Sequence, residues 1–335
     1  MITVARVYDY HPSKIRLLSE ALLPLLSELR AAHNLPVAFC TRGWDGGSHL
    51  ALHLAGPGLD QAVFDDLSRR LAAAAAANPA ETWTEAEYTA IAERNSRLEG
   101  RTGFRPRPAP HGTVSIDTMP DDGPLAEQRR AYHTGMAEVL RDTLVPGHAP
   151  SRVSGLGLGL LVATAAVYPG GLRFGSLSLR SHAEAFLAVR PDGERLRQQF
   201  EQAYRQNRAA ALQLVETGVR SASSLPGNRL AEQTYAVLRS AEHAADIRRL
   251  TAPGQRRGQP APTSQFHATL RQFAFWDNPP IGFNEYRVLI NWLYEALPLL
   301  DVQPAARYLS CHLIACAVDE FLGESWQQRI AQRTA

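Results

Sequence analysis

The chain has 335 residues, of which 45% are hydrophobic and 20% are charged, and its formal net charge is +2. A chain of this length and composition can bury a sizeable core, either as one large domain or as two. The small net charge, without a run of like charges, does not predict a phosphate-binding surface. We therefore expect an ordinary soluble protein with no nucleic-acid partner.

The three cysteines contain no C-x-x-C pair, which predicts reduced thiols in the cytosol. The longest apolar run, over 155–167, is shorter than the roughly 20 residues that a membrane span needs. No charged and then apolar segment opens the sequence. These features predict a cytoplasmic protein without a membrane partner, and they indicate no oligomeric state.

The first 60 residues predict a β-α-β-β unit. Its predicted elements are a strand over 3–10, a helix up to residue 33, and two strands over 36–42 and 48–54. Pro24 is expected to kink the helix. The sequence Trp44-Asp45-Gly46-Gly47 between the last two strands is typical of a tight hairpin turn.

The rest of the chain is dominated by helical periodicity. Helices are predicted over 59–77, 84–98, 125–144, 151–167, 191–218, 228–250, 284–297 and 303–323, with a further helix at the Arg180-Ser-His-Ala-Glu stretch. Thr84 and Glu87 are spaced as a capping box, and Gly155, Gly157 and Gly159 favour close helix packing over a phosphate loop. The fold class is therefore α+β, with an N-terminal β-α-β-β antiparallel sheet packed on a largely helical remainder, as a single compact domain over 1–335.

Two segments have the composition of loops. The segment 101–124 is rich in proline and glycine and carries Arg105 and Arg107, so it is either a plain connector or a site for an acidic or extended peptide. The segment 252–265 is predicted to be a flexible loop.

His49 and His53 alternate with leucines and share one face of the third strand. They lie either on a solvated face or along a pocket. Two histidines make a poor metal site, because a catalytic zinc ion typically has three protein ligands. We expect no metal and no other cofactor.

The stretch Arg180-Ser181-His182-Ala-Glu184 between two apolar runs is where chemistry is most expected. Ser181 and Glu184 match a capping box. Arg180 and His182 are then unexplained, because a helix N-terminus disfavours cations unless they face a cleft or a carboxylate.

Aromatic and histidine side chains recur on the late helices. Tyr286 belongs to an apolar helical stripe with Tyr294 beside it, and His312 lies among apolar residues. A histidine in such a pattern is either a core residue or a catalytic one.

The sequence resembles the C-terminal elimination domain of lantibiotic dehydratases in the order of five features. These are an aromatic first strand, Arg42 before the turn, His49-Leu-x-Leu, Arg180-Ser-His-Ala-Glu-Ala-Phe-Leu and a late helix with His312. Within that family it is most similar to the stand-alone pyridine synthases of thiopeptide biosynthesis. The eliminating members carry arginines where this chain has Ala51 and His53, and a guanidinium suits a departing carboxylate. The absence of these arginines favours a cyclase over an enzyme that eliminates glutamate.

The resemblance implies a formal aza-[4+2] cycloaddition between two dehydroalanines of a leader-bearing precursor peptide, followed by loss of water and of the leader as an amide. It implies no cofactor. The implied catalytic residues are Ser181, His182, Glu184, Tyr286 and His312. The implied substrate-binding residues are Arg42, His49, His53, Arg105, Arg107, Arg180 and Tyr294. The alternatives are an enzyme that eliminates glutamate from a peptide ester and a non-catalytic scaffold that binds the precursor.

Overall fold

The structure is a computed structural model that describes residues 1–99, 102–120, 123–147, 150–251, 264–273 and 279–334. The loop predicted over 252–265 lies outside the described residues except at 264 and 265. The chain divides into a first unit, Met1–Pro150 with Pro298–Asp301, and a second unit, Ser151–Leu297 with Val302–Ala335. The expectation of a single domain stays a prediction.

The first unit is built on a four-stranded antiparallel sheet in the order β2-β3-β1-β4. The strands are β1 (Ile2–Tyr8), β2 (Val37–Gly43), β3 (His49–Ala55) and β4 (Val114–Met119). The turn between β2 and β3 contains Gly46 and Gly47, with φ angles of 85° and 119° that favour glycine. Since the remaining elements are mostly helical, the predicted α+β class is confirmed.

Strand β4 lies inside the segment 101–124, for which the sequence predicted irregular structure. That expectation is wrong for six residues, because the backbone of β4 pairs with β1 in a register that sets Val114 against Val7 and Met119 against Ile2. β4 and β2 are the edges of the sheet.

The helices of the first unit are α1 (Ile15–Leu17), α2 (Leu23–His33), α3 (Gln61–Ala76), α4 (Glu85–Glu99) and α5 (Ala126–Thr143). A π-helical turn, Leu18–Leu22, joins α1 to α2, and Pro24 lies at the start of α2, where a missing N–H costs little. The capping box before α4 is confirmed: Thr84 N–H donates to Glu87 at 2.8 Å and Glu87 N–H donates to Thr84 Oγ at 3.3 Å.

The second unit is helical. Its helices are α6 (Pro150–Ala166, whose first residue belongs to the first unit), α7 (Leu172–Ala188), α8 (Gly193–Arg220), α9 (Asn228–Leu238), α10 (Ala244–Thr251), α11 (Gln265–Gln272), α12 (Phe283–Ala296), α13 (Pro304–Leu322) and α14 (Trp326–Thr334). α13 packs against both α7 and α8. The helix predicted over 228–250 is interrupted, because Ser240 is extended, with ψ of 139°.

Gly155 and Gly159 of α6 do not make the close helix contact that the sequence predicted. A Cβ at Gly155 or Gly159 would meet open space, whereas a Cβ at Gly175 in α7 would collide with the carbonyl of Ala165. The absence of a side chain at Gly175 therefore allows α6 and α7 to approach. Among the residues described, no helix combines the length and apolar character needed to cross a membrane.

Candidate active site

Helix α7 carries the Arg180 to Glu184 stretch in its middle. The helix begins at Leu172, directly after Gly171, which has a φ of 65°. Ser181 is thus nine residues into the helix, where backbone N–H groups are already paired within the helix. The capping-box interpretation of Ser181 and Glu184 is wrong, and all four polar side chains of the stretch are placed by contacts with other helices.

Arg180 makes a buried ion pair. Its Nη2 donates to Oδ2 of Asp319 on α13 at 2.6 Å, and Arg329 on α14 binds the other oxygen of the same carboxylate. Arg180 is 8% exposed, so this pair ties α7 to α13 within the core of the second unit.

Glu184, one helical turn further along, pairs with Arg197 of α8. The two guanidinium nitrogens of Arg197 donate to the two carboxylate oxygens at 2.9 and 2.7 Å. Burial acts to raise the pKa of Glu184, but the hydrogen bonds and charge of Arg197 outweigh it, and the pKa lies below its ordinary value. Glu184 is therefore ionised near neutral pH and is unsuited to donate a proton.

His182 points to a different partner, Tyr294 of α12. Nδ1 of His182 lies 2.7 Å from the tyrosine hydroxyl oxygen, and Tyr294 also contacts Sγ of Cys311 at 3.5 Å. Burial, with Cys311 nearby, raises the pKa of Tyr294 well above its ordinary value. Tyr294 consequently stays a neutral phenol, which can donate to His182. When it does so, the neutral imidazole carries its own proton on Nε2.

Ser181 contacts a histidine that the sequence analysis missed. Oγ of Ser181 lies 3.0 Å from Nε2 of His267, and Nδ1 of the same ring lies 2.7 Å from Oγ of Ser264, the N-cap of α11. One imidazole thus bridges two hydroxyl groups. No local pattern marks His267, because its partner Ser181 is 86 positions away in the sequence.

Two of the predicted catalytic residues are deeply buried. Tyr286 is 1% exposed, and its hydroxyl donates to the carbonyl of Gly175 at 3.0 Å. His312 is 2% exposed, and its Nε2 lies 3.3 Å from a carboxylate oxygen of Glu201 and 3.5 Å from Sγ of Cys316. Among the hydrogen bonds and ion pairs of the described residues, none joins any two of Ser181, His182, Tyr286 and His312.

A cavity of about 530 Å³ lies beside α7. Its charged lining comprises Arg180, Glu184, Glu194 and Arg197, and Ser264 and Trp326 lie among the other lining residues. The cavity is large enough to accept part of a peptide side chain or backbone.

Three of the binding residues predicted in the first unit, Arg42, His49 and Arg105, lie at or beside the β2–β3 turn. Arg42 donates to Oδ1 of Asp301 at 2.5 Å and to the carbonyl of Pro298 at 3.1 Å. The exposed Arg105 donates to the Tyr8 hydroxyl at 2.8 Å, whereas Arg107 is 80% exposed and pairs with Glu85 at the surface. Arg107 is thus available to a ligand at small structural cost.

Neither hairpin histidine lies on a solvated face. His49 is buried, and its Nδ1 donates to the carbonyl of Gly47 at 2.9 Å. His53 is half-buried, with its ring stacked on Phe39 and Nε2 2.8 Å from Oγ1 of Thr41. Burial lowers the pKa of His49 to about 4 and that of His53 to about 3, so both rings are neutral near pH 7.

Taken together, the described residues place titratable side chains in local pairs on α7 and its neighbours. In the His182–Tyr294 pair a neutral phenol can donate to the imidazole, which leaves Nε2 of the ring as the atom that can exchange a proton with a substrate. The Ser181–His267 pair offers a hydroxyl that an imidazole can orient. The ionised Arg180–Asp319 and Arg197–Glu184 pairs fix α7 against α13 and α8.

No family model matches the chain, and no curated protein matches it in sequence. Among solved structures, the pyridine synthase TbtD from thiomuracin biosynthesis is 25% identical, with a TM-score of 0.74 over 96% of this chain and 99% of that chain. TsrL is 16% identical, with a TM-score of 0.62 over 98% and 97%. The tRNA-dependent lantibiotic dehydratase MibB from Microbispora sp. 107891 is 14% identical, with a TM-score of 0.45 over 96% of this chain and 28% of that chain. The resemblance predicted from the sequence is thus confirmed, and the chain has the fold of a pyridine synthase.

Proposed function

We propose that this protein is a pyridine synthase that closes a macrocycle in a ribosomally made, dehydrated precursor peptide. The observation that carries the proposal is the likeness to TbtD, which extends over nearly the whole of both chains rather than over one shared domain. Because a fold alone does not fix an activity, the proposal also draws on the polar pairs of α7.

The proposed reaction joins two dehydroalanines. The amide before one of them reacts as its iminol, so that the atoms C=N–C=C form a 2-azadiene. One new bond joins the two dehydroalanine β-carbons, and the other joins the iminol carbon to the α-carbon of the second dehydroalanine. Loss of the iminol hydroxyl as water, then of the leader as a carboxamide from that α-carbon, leaves a pyridine. These reaction steps need no oxidant or reductant.

The protein must supply proximity and proton transfer. Holding two distant alkenes together can contribute several kcal/mol, about 7 or more in well-oriented cases. The hydroxyl and the amide nitrogen must each receive a proton as they leave, and a positioned acid is typically worth about 10²–10⁴ in rate. His182 is the proposed proton carrier, since its ring is only half-buried, and Tyr294 is the proposed donor that sets its tautomer.

The other α7 residues have supporting roles in this proposal. Ser181, oriented by His267, would donate to the amide oxygen as it becomes an iminol. Tyr286 would act as a positioning residue, because its hydroxyl already holds the carbonyl of Gly175. Glu184 holds Arg197 and thereby the wall of the cavity.

The first unit is the proposed binding place for the leader. Strand β4 is an edge of the sheet, and an extended peptide gains main-chain hydrogen bonds by adding to such an edge. Arg107, being exposed, would attract acidic leader residues.

Glutamate elimination is the second candidate, and the hairpin argues against it. At the two positions where eliminating relatives are expected to carry arginines, Ala51 is buried and His53 is neutral. Neither can hold a departing carboxylate by paired hydrogen bonds.

The test is incubation of the purified protein with a leader-bearing peptide that contains two dehydroalanines. A pyridine synthase gives a new aromatic absorbance and a cyclic product that has lost the leader and one water. A peptide that returns unchanged, although bound, indicates a scaffold. A glutamylated peptide that loses only glutamate indicates an eliminating enzyme.

A further inference from the structure

Three side chains from two helices of the second unit direct donor atoms toward one point. His312 and Cys316 are four residues apart on α13 and therefore lie on the same face of that helix. Glu201 reaches the same point from α8, which packs against α13. Their ligand atoms all lie within 4.8 Å of one another.

The two separations measured from the imidazole nitrogen match those of a tetrahedral zinc site. Typical bonds of about 2.0–2.1 Å to nitrogen, 2.3 Å to sulfur and 2.0–2.2 Å to oxygen, at tetrahedral angles, set the N···S distance near 3.6 Å and the N···O distance near 3.4 Å. In the structure, Nε2 of His312 lies 3.5 Å from Sγ of Cys316 and 3.3 Å from a carboxylate oxygen of Glu201. A metal ion therefore fits without rearrangement of the imidazole relative to either partner.

The ligand types suit the same ion. Imidazole, thiolate and carboxylate are the three groups that bind zinc in proteins.

The charges of the neighbouring arginines do not prevent a cation from binding, because each arginine is already paired with a carboxylate. Arg180 pairs with Asp319, and Arg197 pairs with Glu184. The negative charges of Glu201 and a Cys316 thiolate are therefore available to offset a divalent ion.

We propose that Glu201, His312 and Cys316 form a three-ligand site for a divalent transition-metal ion, with zinc as the ion that best fits this set of oxygen, nitrogen and sulfur donors. Three protein ligands leave a fourth position for water or another ligand. The site is independent of the cyclisation proposed above, which needs no metal, and it takes His312 out of the set of proton carriers.

Cobalt(II) is the probe, because tetrahedral cobalt absorbs visible light and a cobalt–thiolate bond adds a charge-transfer band in the near ultraviolet. The full-length protein, stripped with a chelator, should bind one cobalt ion per chain, show both features and lose them when zinc is added. Cys316→Ser should lose the charge-transfer band. Cys311→Ser is the matched control, since Cys311 is a buried thiol on the same helix that contacts Tyr294 instead, and it should keep both features.

Glu201→Gln provides a second measurement that does not depend on the folding of the cysteine variant. It should keep the charge-transfer band and weaken cobalt binding by about tenfold or more, as the loss of an anionic ligand requires. The proposal is overturned if the wild-type protein shows no tetrahedral spectrum at saturating cobalt. It is equally overturned if Cys316→Ser and wild type give the same spectrum, or if Glu201→Gln binds cobalt as tightly as wild type.

Discussion

Nδ1 of His182 lies 2.7 Å from the hydroxyl oxygen of Tyr294, although the two residues are 112 positions apart in the sequence. The face of the Tyr294 ring is covered by the Arg307 guanidinium, 4.5 Å from the ring centroid. The phenol is thus held in place from both sides, and it fixes one nitrogen of a half-buried imidazole. This is the pair on which the proposed proton transfers depend.

His182→Ala should lower the rate of pyridine formation by about a hundredfold or more, because a positioned acid is lost. Tyr294→Phe removes one hydrogen bond and should lower the rate by roughly tenfold, as about 1.4 kcal/mol corresponds to a factor of ten. The measurement is single-turnover mass spectrometry on the dehydrated peptide.

His243→Ala is the control for this pair, since His243 lies on a separate 3-10 turn and contacts Glu242. It should cyclise at the wild-type rate. Wild-type turnover in both His182→Ala and Tyr294→Phe would remove the pair from the mechanism. Leader affinity should be unchanged in all three variants.

Acid should destabilise the protein through His49. The pKa of His49 is about 4 in the folded protein and 6.5 when the ring is exposed. As pH falls between these two values, the unfolded chain therefore binds a proton at His49 and the folded protein does not. Stability is therefore lost as pH falls from 6.5 toward 4, by about 2 kcal/mol between about pH 7 and pH 5 from this group alone.

Urea unfolding of wild type and His49→Gln at those two pH values measures this effect. The variant is expected to be less stable than wild type near pH 7, because the packed ring is lost, but to lose less stability on acidification. An identical pH dependence in the two proteins would contradict the lowered pKa, because it would show that the folded protein protonates His49 as readily as the unfolded chain does.

Arg197→Ala should destabilise the second unit. It leaves the largely buried carboxylate of Glu184 without its two charge-assisted hydrogen bonds, a loss of about 2 kcal/mol. Arg195→Ala is the matched control on the same helix, because the Arg195–Asp192 pair is solvent-exposed and should contribute less than about 1 kcal/mol. Equal denaturation midpoints for the two variants would contradict this assignment.

The leader prediction concerns Arg105 and Arg107. Replacing both with alanine should weaken leader binding and reduce its dependence on salt. Arg107→Ala alone separates binding from structure, since Arg105 also donates to Tyr8, whereas Arg107 pairs with Glu85 at the surface. Fluorescence anisotropy with a labelled leader peptide measures both effects, and an unchanged affinity at low salt in the double variant counts against this surface.

The sheet shows which strands the local sequence pattern could predict and which it could not. The hairpin from β2 to β3 was predictable because Gly46 and Gly47 supply the positive φ angles that its turn needs. β4 was missed because prolines and glycines crowd the residues before it, while its pairing with β1 is more than a hundred positions away in the sequence. Long-range pairing leaves no local signal in a short strand.

The two capping boxes make the same point for helices. Thr84 and Glu87 cap α4 as predicted, whereas Ser181 and Glu184 have identical spacing and lie inside α7. The two pairs differ in their tertiary contacts, because Ser181 contacts His267 and Glu184 binds Arg197. The sequence could mark the Arg180 to Glu184 stretch as chemically unusual, but the partners that define each side chain's role come from other helices.

The mass of the released leader tests the central claim most directly. In the proposed reaction the leader leaves through the nitrogen of the second dehydroalanine, so the fragment must end in a carboxamide. We predict that this amide and the cyclic core appear together, at the same rate, when the protein meets a peptide with two dehydroalanines. A leader that ends in a free carboxylic acid, or a core that appears without loss of the leader, would contradict the pyridine-synthase assignment.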